Sequence, residues 1–567
     1  MRMRGQELKL PVWVWVLVWV APTWAAPVPA DLLLTNGKII TVDRDFSIKS
    51  AIVIRDGKIL AVGGPEIATR YSAPRRIDLH GRSAMPGFMD THLHIFGASH
   101  REVDLRNATS IEEVKSLVGV KARALGAGEW VVGNYWDEGN FIERRRPLRA
   151  DLDAAAPLNP VVLIRSGGHS AVGNSLALKA AGITRDTPDT RQYVYEHDAS
   201  GDLNGVVRES LTLFMPLVPP DTPEQMRASY ISEIRKLLPL GLTSAVVAGA
   251  DLETLKHPIF PLPSWPEWRS IYSELGPELP RVAVQIIYPG ADVLARYPNH
   301  TGFGDDRLKL SGIGEGPVVD GGFSGPTVCT TRDYKGQPGF RGRCFMTPDE
   351  LQALADTVAR YGWQLGLHTL GDAAIEEAVT AYDRALRRYP QRDPRWFNSH
   401  FGMLPSQHVL ELMVRDGIMV SAQPNFLYTF EQRYLDNVEA GEALDHINPV
   451  ATPQRLGIRI TFGGDDLPTD PRVGLYAAVT RKGKSGRTIA PAEGVSIQDA
   501  IRMYTSNPTY LTWDEHKKGS LEPGKFADLI VLDRDPLTCP PDELLQMQVD
   551  LTVIAGKVLY ERPVTAH

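Results

Sequence analysis

From Thr347 to Arg481 the chain alternates between helix-period and strand-like segments, and no other feature constrains its fold as much. Thr347, followed by Pro348 at the first helical position and by Glu350 three residues on, opens a helix with a capping box, and Gly362 closes it. The apolar run "WQLGLHTLGD" then reads as a strand ending at His368. "AAIEEAVTAYDRALRRY" reads as a helix, with Asp372 as its cap, and "WFNSHFG" as a strand ending at His400. "PSQHVLELMVRDG" continues as a helix, "IMVSAQPNF" as a strand, and "GIRITFGGDD" as a strand ending at Asp465 and Asp466. Strand and helix in strict turn predict βα units around a parallel sheet. The two ends of the chain read differently. "DLLLTNGKIITVD" and "SAIVIRDGKILAVGG" break at Asn36-Gly37 and Asp56-Gly57, which are hairpin signals, and "GKFADLIVLD" and "LTVIAGKVLYE" repeat the short apolar pattern near the C-terminus. The expectation is one small β domain from residues 31–80 and 516–567, with residues 81–515 inserted as the α/β unit.

The first 26 residues stand apart. Arg2, Arg4 and Lys9 precede an apolar run of about half the ~20 residues that cross a bilayer, and small residues follow at Ala25 and Ala26. This is the layout of a secretory signal peptide, so the mature protein is expected to be exported, periplasmic or secreted, with no stable membrane span. An uncleaved anchor is the alternative. Of three cysteines, Cys329 and Cys344 enclose a compact loop that a disulfide can close in an oxidising compartment, and Cys539 is left over. A net charge of −7 gives no basic face and argues against a nucleic-acid partner.

The chemistry gathers at strand ends. In "PGFMDTHLHIFGAS", His92 and His94 are two apart, so a strand points both imidazoles the same way and both reach one ion. Histidine pairs also arise by chance, but His368, His400 and Asp465 lie at the C-terminal ends of other expected strands. In a (β/α)8 barrel those ends meet at one rim, where active sites form.

Nine blocks in order resemble amidohydrolase family 3 of the amidohydrolase superfamily. They are "PGFMDTHLHIFG", "GNYWDE", "RSGGHSAVGNSLAL", "GDLNGVVRE", "LHTLGDAAI", "SAQPNF", "ITFGGDDLPTDPRVGLYAAVTR", "YTSNPTYL" and "GSLEPGKFADLIVLDRDPL". The resemblance implies a distorted (β/α)8 TIM barrel capped by a β-sandwich from both termini. It also implies hydrolysis at a carbon–nitrogen bond with one or two divalent ions. By motif, His92 and His94 would hold the first ion, and His368 and His400 a second ion or the first ion and substrate. Asp465 would touch metal and act as general acid/base. Histidine and carboxylate ligands suit zinc best, with manganese, iron and cobalt as alternatives.

Three departures from the family pattern leave choices open. Where a bridging lysine is common, a few residues before Asp320-Gly321, this chain has Glu315; a glutamate can bridge two ions directly, or the position is empty and the site holds one. Lys309 lies further back, within the strand. Ser399 replaces the usual glutamate before His400, which makes His400 a weaker ligand candidate than His368. Asp465 and Asp466 compete for the acid/base role, with Asp465 preferred. His169 and Trp136 are candidate substrate contacts, and the Pro- and Trp-rich stretch 257–270 a candidate lid or wall. The expected substrate is a small-molecule amide, an N-acyl or N-formyl compound or a cyclic amide. The alternatives are an ester hydrolase on the same site and a barrel that has lost catalysis and acts as a binding or regulatory protein. Oligomeric state stays open, a homo-oligomer included.

Overall fold

The computed structural model describes residues 27–97, 99–166, 170–190, 193–208, 211–253, 262–323 and 327–563. Residues 1–26, where the sequence leads one to expect a signal peptide, and His169 lie outside the described residues, and among those described no helix is long and apolar enough to cross a membrane.

Eight parallel strands form the central sheet in chain order: β1 (Phe88–Leu93), β2 (Leu242–Ala250), β3 (Arg281–Ile286), β4 (Leu308–Gly314), β5 (Leu365–Thr369), β6 (Phe397–His400), β7 (Met419–Ala422) and β8 (Ile460–Phe462). They curl into a distorted (β/α)8 barrel. Met89, Val246, Ala283, Phe397, Met419 and Leu511 pack into an apolar plug inside it. The sheet ladder runs unbroken from β1 to β8, and side chains together with a main-chain hydrogen bond close the remaining seam. Thr91 Oγ1 lies 3.0 Å from Thr461 Oγ1 and donates to the Phe462 carbonyl at 3.0 Å. The buried Asp90 carboxylate accepts from Gly464 N at 2.9 Å, and Asp465 N donates to the His92 carbonyl at 2.8 Å.

The helices follow their sequence signals. In α1 (Pro348–Arg360) the hydroxyl of Thr347 accepts from Glu350 N, while the Glu350 carboxylate accepts from Thr347 N at 2.9 Å. Leu351, Leu354, Ala355 and Val358, at helical spacing, form its buried face. In α2 (Asp372–Arg388) the cap is Gly371, not Asp372. Asp372 is the first helical residue, and its carboxylate accepts from Thr331 N, so it anchors a neighbouring loop instead. α3 (Gln407–Asp416) and α4 (Pro424–Asn437) complete the repeat, α4 with a kink at Phe430.

Two further sheets pack face to face. One runs Lys58–Gly63, Ala51–Arg55, Leu32–Thr35, Arg75–Asp78; the other runs Lys557–Glu561, Val549–Ile554, Leu529–Leu532, Ser83–Pro86, Lys38–Ile40, Ile48–Lys49. Alternate residues such as Leu32, Leu34, Ile52, Ile54, Leu529 and Val531 fill the space between them. The buried Arg281 of β3 ties this unit to the barrel: its Nε donates to Asp528 at 2.6 Å, and its guanidinium lies 3.9 Å from the Phe526 ring centre.

The sequence reading assigned residues 94–241 to the barrel without a sheet of their own. They carry one, six-stranded, in the order Glu102–Asp104, Val131–Trp136, Val161–Arg165, Ser170–Gly173, Leu203–Arg208, Val194–His197. Both of its faces are covered. Trp136 is corrected here. It is fully buried in one of these cores with Leu105, Phe141 and Leu163, with no surface open to a substrate. A register shift between Gly133 and Trp136, with Tyr135 at φ 68°, breaks the alternation of the strand; Trp136 turns inward and Tyr135 stays partly exposed. Of the candidate lid or wall at 257–270, residues 257–261 lie outside the described residues; Trp265 and Trp268 are buried in the main core.

Candidate metal centre

Six ligand-type side chains converge at the C-terminal ends of the barrel strands. His92 lies within β1, with His94 just past its end, His368 is near the end of β5, and His400 ends β6. Glu315 is the first residue after β4. Asp465 comes three residues after β8, not at its end as the sequence reading had it. Glu315, His400, Asp465 and Asp466 have φ between 52° and 73°, as does Tyr135 of the inserted sheet. Left-handed backbone at non-glycine residues costs energy and persists where surrounding structure enforces it; here it turns side chains from separate strands toward one point.

Glu315 is the hub. Its Oε2 lies 3.4 Å from His92 Nε2 and 3.8 Å from His400 Nε2, and its Oε1 lies 3.3 Å from His368 Nδ1 and 4.0 Å from His94 Nε2. Asp465 Oδ1 is 3.2 Å from His94 Nε2 and 3.6 Å from His92 Nε2. Three overlapping sets result: His92, His94 and Glu315; His92, His400 and Asp465; Glu315, His368 and His400. His94 Nδ1 lies 3.0 Å from the Ala248 carbonyl, which accepts its proton and turns Nε2 toward Asp465. Phe96 stacks on His94, and Phe426 on His400.

These atoms fit a divalent cation. Both His92 ring nitrogens, Glu315 Oε2, His368 Nε2 and His400 Nε2 are buried without a hydrogen-bond partner among the described residues. Leaving so many polar atoms unpaired is costly, and a cation among His Nε2 atoms and carboxylate oxygens supplies the missing partner. The charges agree. Burial pushes Glu315 toward neutrality, but His92 and His368 outweigh it and hold its carboxyl well below the usual range. Asp465 is lowered too: burial opposes, and His92 and His94 prevail. Burial takes His92 down to about 4, whereas the hydrogen bond and charge of Asp465 push His94 up to about 10 against burial. Asp466 differs from its neighbour. Burial raises its pKa, and its carboxylate is turned to accept from Thr469 Oγ1. Lys309 sits within β4 at the opposite end of the barrel from the cluster, donating to Asp514 at 2.6 Å.

A disulfide joins Cys329 to Cys344 beside the centre. Asp320, fully buried, fixes the same loop by accepting from Cys329 N, Leu370 N and Gly371 N at 2.8–3.0 Å. Sequence reasoning missed Gln423, whose Oε1 lies 2.9 Å from His400 Nδ1. "SAQPNF" held it in plain view, but only the packing of β7 against β6 brings it to the ring.

The chain is similar to known proteins along nearly its whole length. It is 27% identical over 557 residues to N-substituted formamide deformylase of Arthrobacter pascens, covering 94% of this chain and 98% of that one. It is 26% identical over 558 residues to the putative amidohydrolase YtcJ of Bacillus subtilis, covering 93% and 99%. An uncharacterized metal-dependent hydrolase of Pyrococcus horikoshii OT3 shares the fold at a TM-score of 0.70 and 24% identity, over 90% of this chain and 99% of that one. With residues 75–560 matching the amidohydrolase family, a span that takes in every strand of the barrel and all six converging side chains, the chain belongs to that family.

Proposed function

We propose that the protein is an exported hydrolase that holds two divalent ions, zinc best suiting the ligands, and cleaves the carbon–nitrogen bond of small N-formyl or N-acyl amides. The observation that carries the reading is the Glu315 carboxylate within 4.0 Å of all four histidines, two at each oxygen. His92, His94 and Asp465 would hold one ion, His368 and His400 the other, with Glu315 shared. When bound, such ions polarise a carbonyl and acidify a water.

The chain's own groups do the rest. Asp465, ionised and 3.2 Å from His94 Nε2, takes a proton from the attacking water and returns it to the leaving nitrogen. Asp466 is committed to Thr469 and supports the loop. Phe96 and Phe426 shield the flanks of His94 and His400 from water, which strengthens every charge interaction inside. The 27% identity to a formamide deformylase supports formyl amides as the first substrates to try, and the disulfide agrees with an oxidising compartment.

The test is elemental analysis of the purified mature chain, together with a panel of N-formyl amines, N-acyl amines and matched esters. Two ions per chain and hydrolysis of amides ahead of esters are expected. Asp465→Asn should lower kcat by about 10²–10⁴-fold, with Asp466→Asn retaining most activity. Faster turnover of esters would overturn the bond assignment. A metal-free chain inert on the whole panel would make it a binding protein.

A further inference from the structure

His400 is the ligand candidate that lacks the carboxylate before it in sequence, because residue 399 is a serine whose Oγ has no hydrogen-bond partner among the described residues. Its ring is nonetheless fixed. Gln423, fully buried between the end of β7 and the start of α4, places Oε1 2.9 Å from His400 Nδ1. The amide cannot be turned over, because Gln423 Nε2 donates to the Ser421 carbonyl at 3.1 Å; a flip would set oxygen against oxygen there. The main chain of Gln423 is held as well, its carbonyl accepting from Phe426 N at 3.0 Å and from Asn448 Nδ2 at 3.2 Å. With an acceptor so fixed, His400 carries its proton on Nδ1. Nε2 is then bare, buried, without a hydrogen-bond partner, and aimed at Glu315 Oε2.

We propose that Gln423 is a positioning residue: it fixes the Nδ1–H tautomer and ring orientation of His400 and so sets the affinity of the second metal position. The contrast with His94 sharpens the argument. There a backbone carbonyl, Ala248, does the same work, and no side-chain substitution removes it. At His400 the acceptor is a side chain, so the effect can be switched off at one residue. Partners that orient a ligating histidine typically change metal affinity 10–100-fold.

The proposal rests on the two-ion reading above, and the experiment separates the two. Zinc affinity of the full mature chain is measured by chelator competition for the wild type, Gln423→Leu and Gln423→Glu. The leucine fills the space without an acceptor; the glutamate keeps an acceptor facing Nδ1–H. Expected for Gln423→Leu is a 10–100-fold weaker second ion with the first ion held within about threefold of wild type, and for Gln423→Glu a second ion close to wild type. Histidine-selective ¹⁵N spectra of the chelated chain, with the His400 signal assigned by its loss in His400→Gln, read the tautomer directly. Nδ1–H is expected in wild type and Gln423→Glu, and a shift toward Nε2–H in Gln423→Leu. Wild-type affinity and tautomer in Gln423→Leu would overturn the proposal, as would equal losses in both variants, which mark a packing role. A wild-type chain that binds one ion refutes the two-ion reading, and the nitrogen spectra still decide the role of Gln423.

Discussion

At the residue scale the centre depends on carboxylates whose jobs differ although their chemistry is the same. Glu315 and Asp465 face histidines and stay ionised; Asp90 and Asp320 face backbone N–H groups and shape the rim. Asp320 accepts three such bonds at once, from both sides of the junction between the disulfide loop and β5. Asp320→Ala leaves three donors unpaired in a buried place. The expected cost is on the order of 3–5 kcal/mol in denaturant unfolding, since an unsatisfied buried donor costs roughly 1–3 kcal/mol. A loss under about 1 kcal/mol would mean that water replaces the carboxylate without penalty. Trp136 shows how a single residue misleads. In a regular strand its parity follows from that of its neighbours, but the bulge at Tyr135 reverses it, and a bulge leaves little trace in sequence.

At the scale of elements, the seam between β1 and β8 decides whether Asp465 reaches the histidines of β1. The seam is tight. A Cβ on Gly463 would sit 2.6 Å from His92 N and 2.7 Å from Asp90 Oδ1, contacts that neither a buried main chain nor a hydrogen-bonded carboxylate can yield cheaply. Gly463→Ala should therefore push the β8 end away from β1, lower metal affinity at least tenfold and destabilise the fold by about 1–3 kcal/mol. Metal titration and thermal unfolding of the same preparation check it. A variant that binds metal as wild type does would show the seam to be pliant. The strand and helix order of the C-terminal half was legible from residues 347–481, because its helices carry apolar stripes and the first of them a full capping box. The inserted sheet was not, because its strands are short and two of its pairings are between neighbours that any hairpin-rich loop region would suggest equally well.

At the scale of the whole molecule, buried ion pairs join the barrel to segments distant in sequence. Below the barrel, Asp514 accepts from Lys309 Nζ at 2.6 Å and lies 3.3 Å from Lys518 Nζ, all three side chains nearly enclosed. Burial alone would raise the Asp514 pKa; Lys518 and Lys309 outweigh it and bring it down to about 2 from its ordinary 3.8. A folded-state value below the unfolded one stabilises the fold above the unfolded pKa, and that contribution fades as pH falls through the folded value. Asp514→Asn should cost about 3–5 kcal/mol near neutrality, where it strands two ammonium groups. The gap to wild type should then narrow from about pH 4 down to about pH 2. Urea midpoints across that range measure it, and a gap independent of pH would assign the effect to packing.

The sequence by itself determined the barrel class, the β character of both ends and five strand-end ligand candidates. Strand period, caps and hairpin turns act within a few residues, so they are written locally. It also offered Glu315 and the Cys329–Cys344 pair as choices. Only the tertiary structure decided that Glu315 lies within 4.0 Å of all four histidines, that Asp465 faces His94 while Asp466 turns to Thr469, and that Gln423 does for His400 what Ala248 does for His94. Apart from the local Asp466–Thr469 contact, those are distances of three or four ångströms between residues tens to hundreds apart in sequence. They are set by how the strands close, by where a bulge or a left-handed residue re-aims a side chain, and by what the core leaves room for.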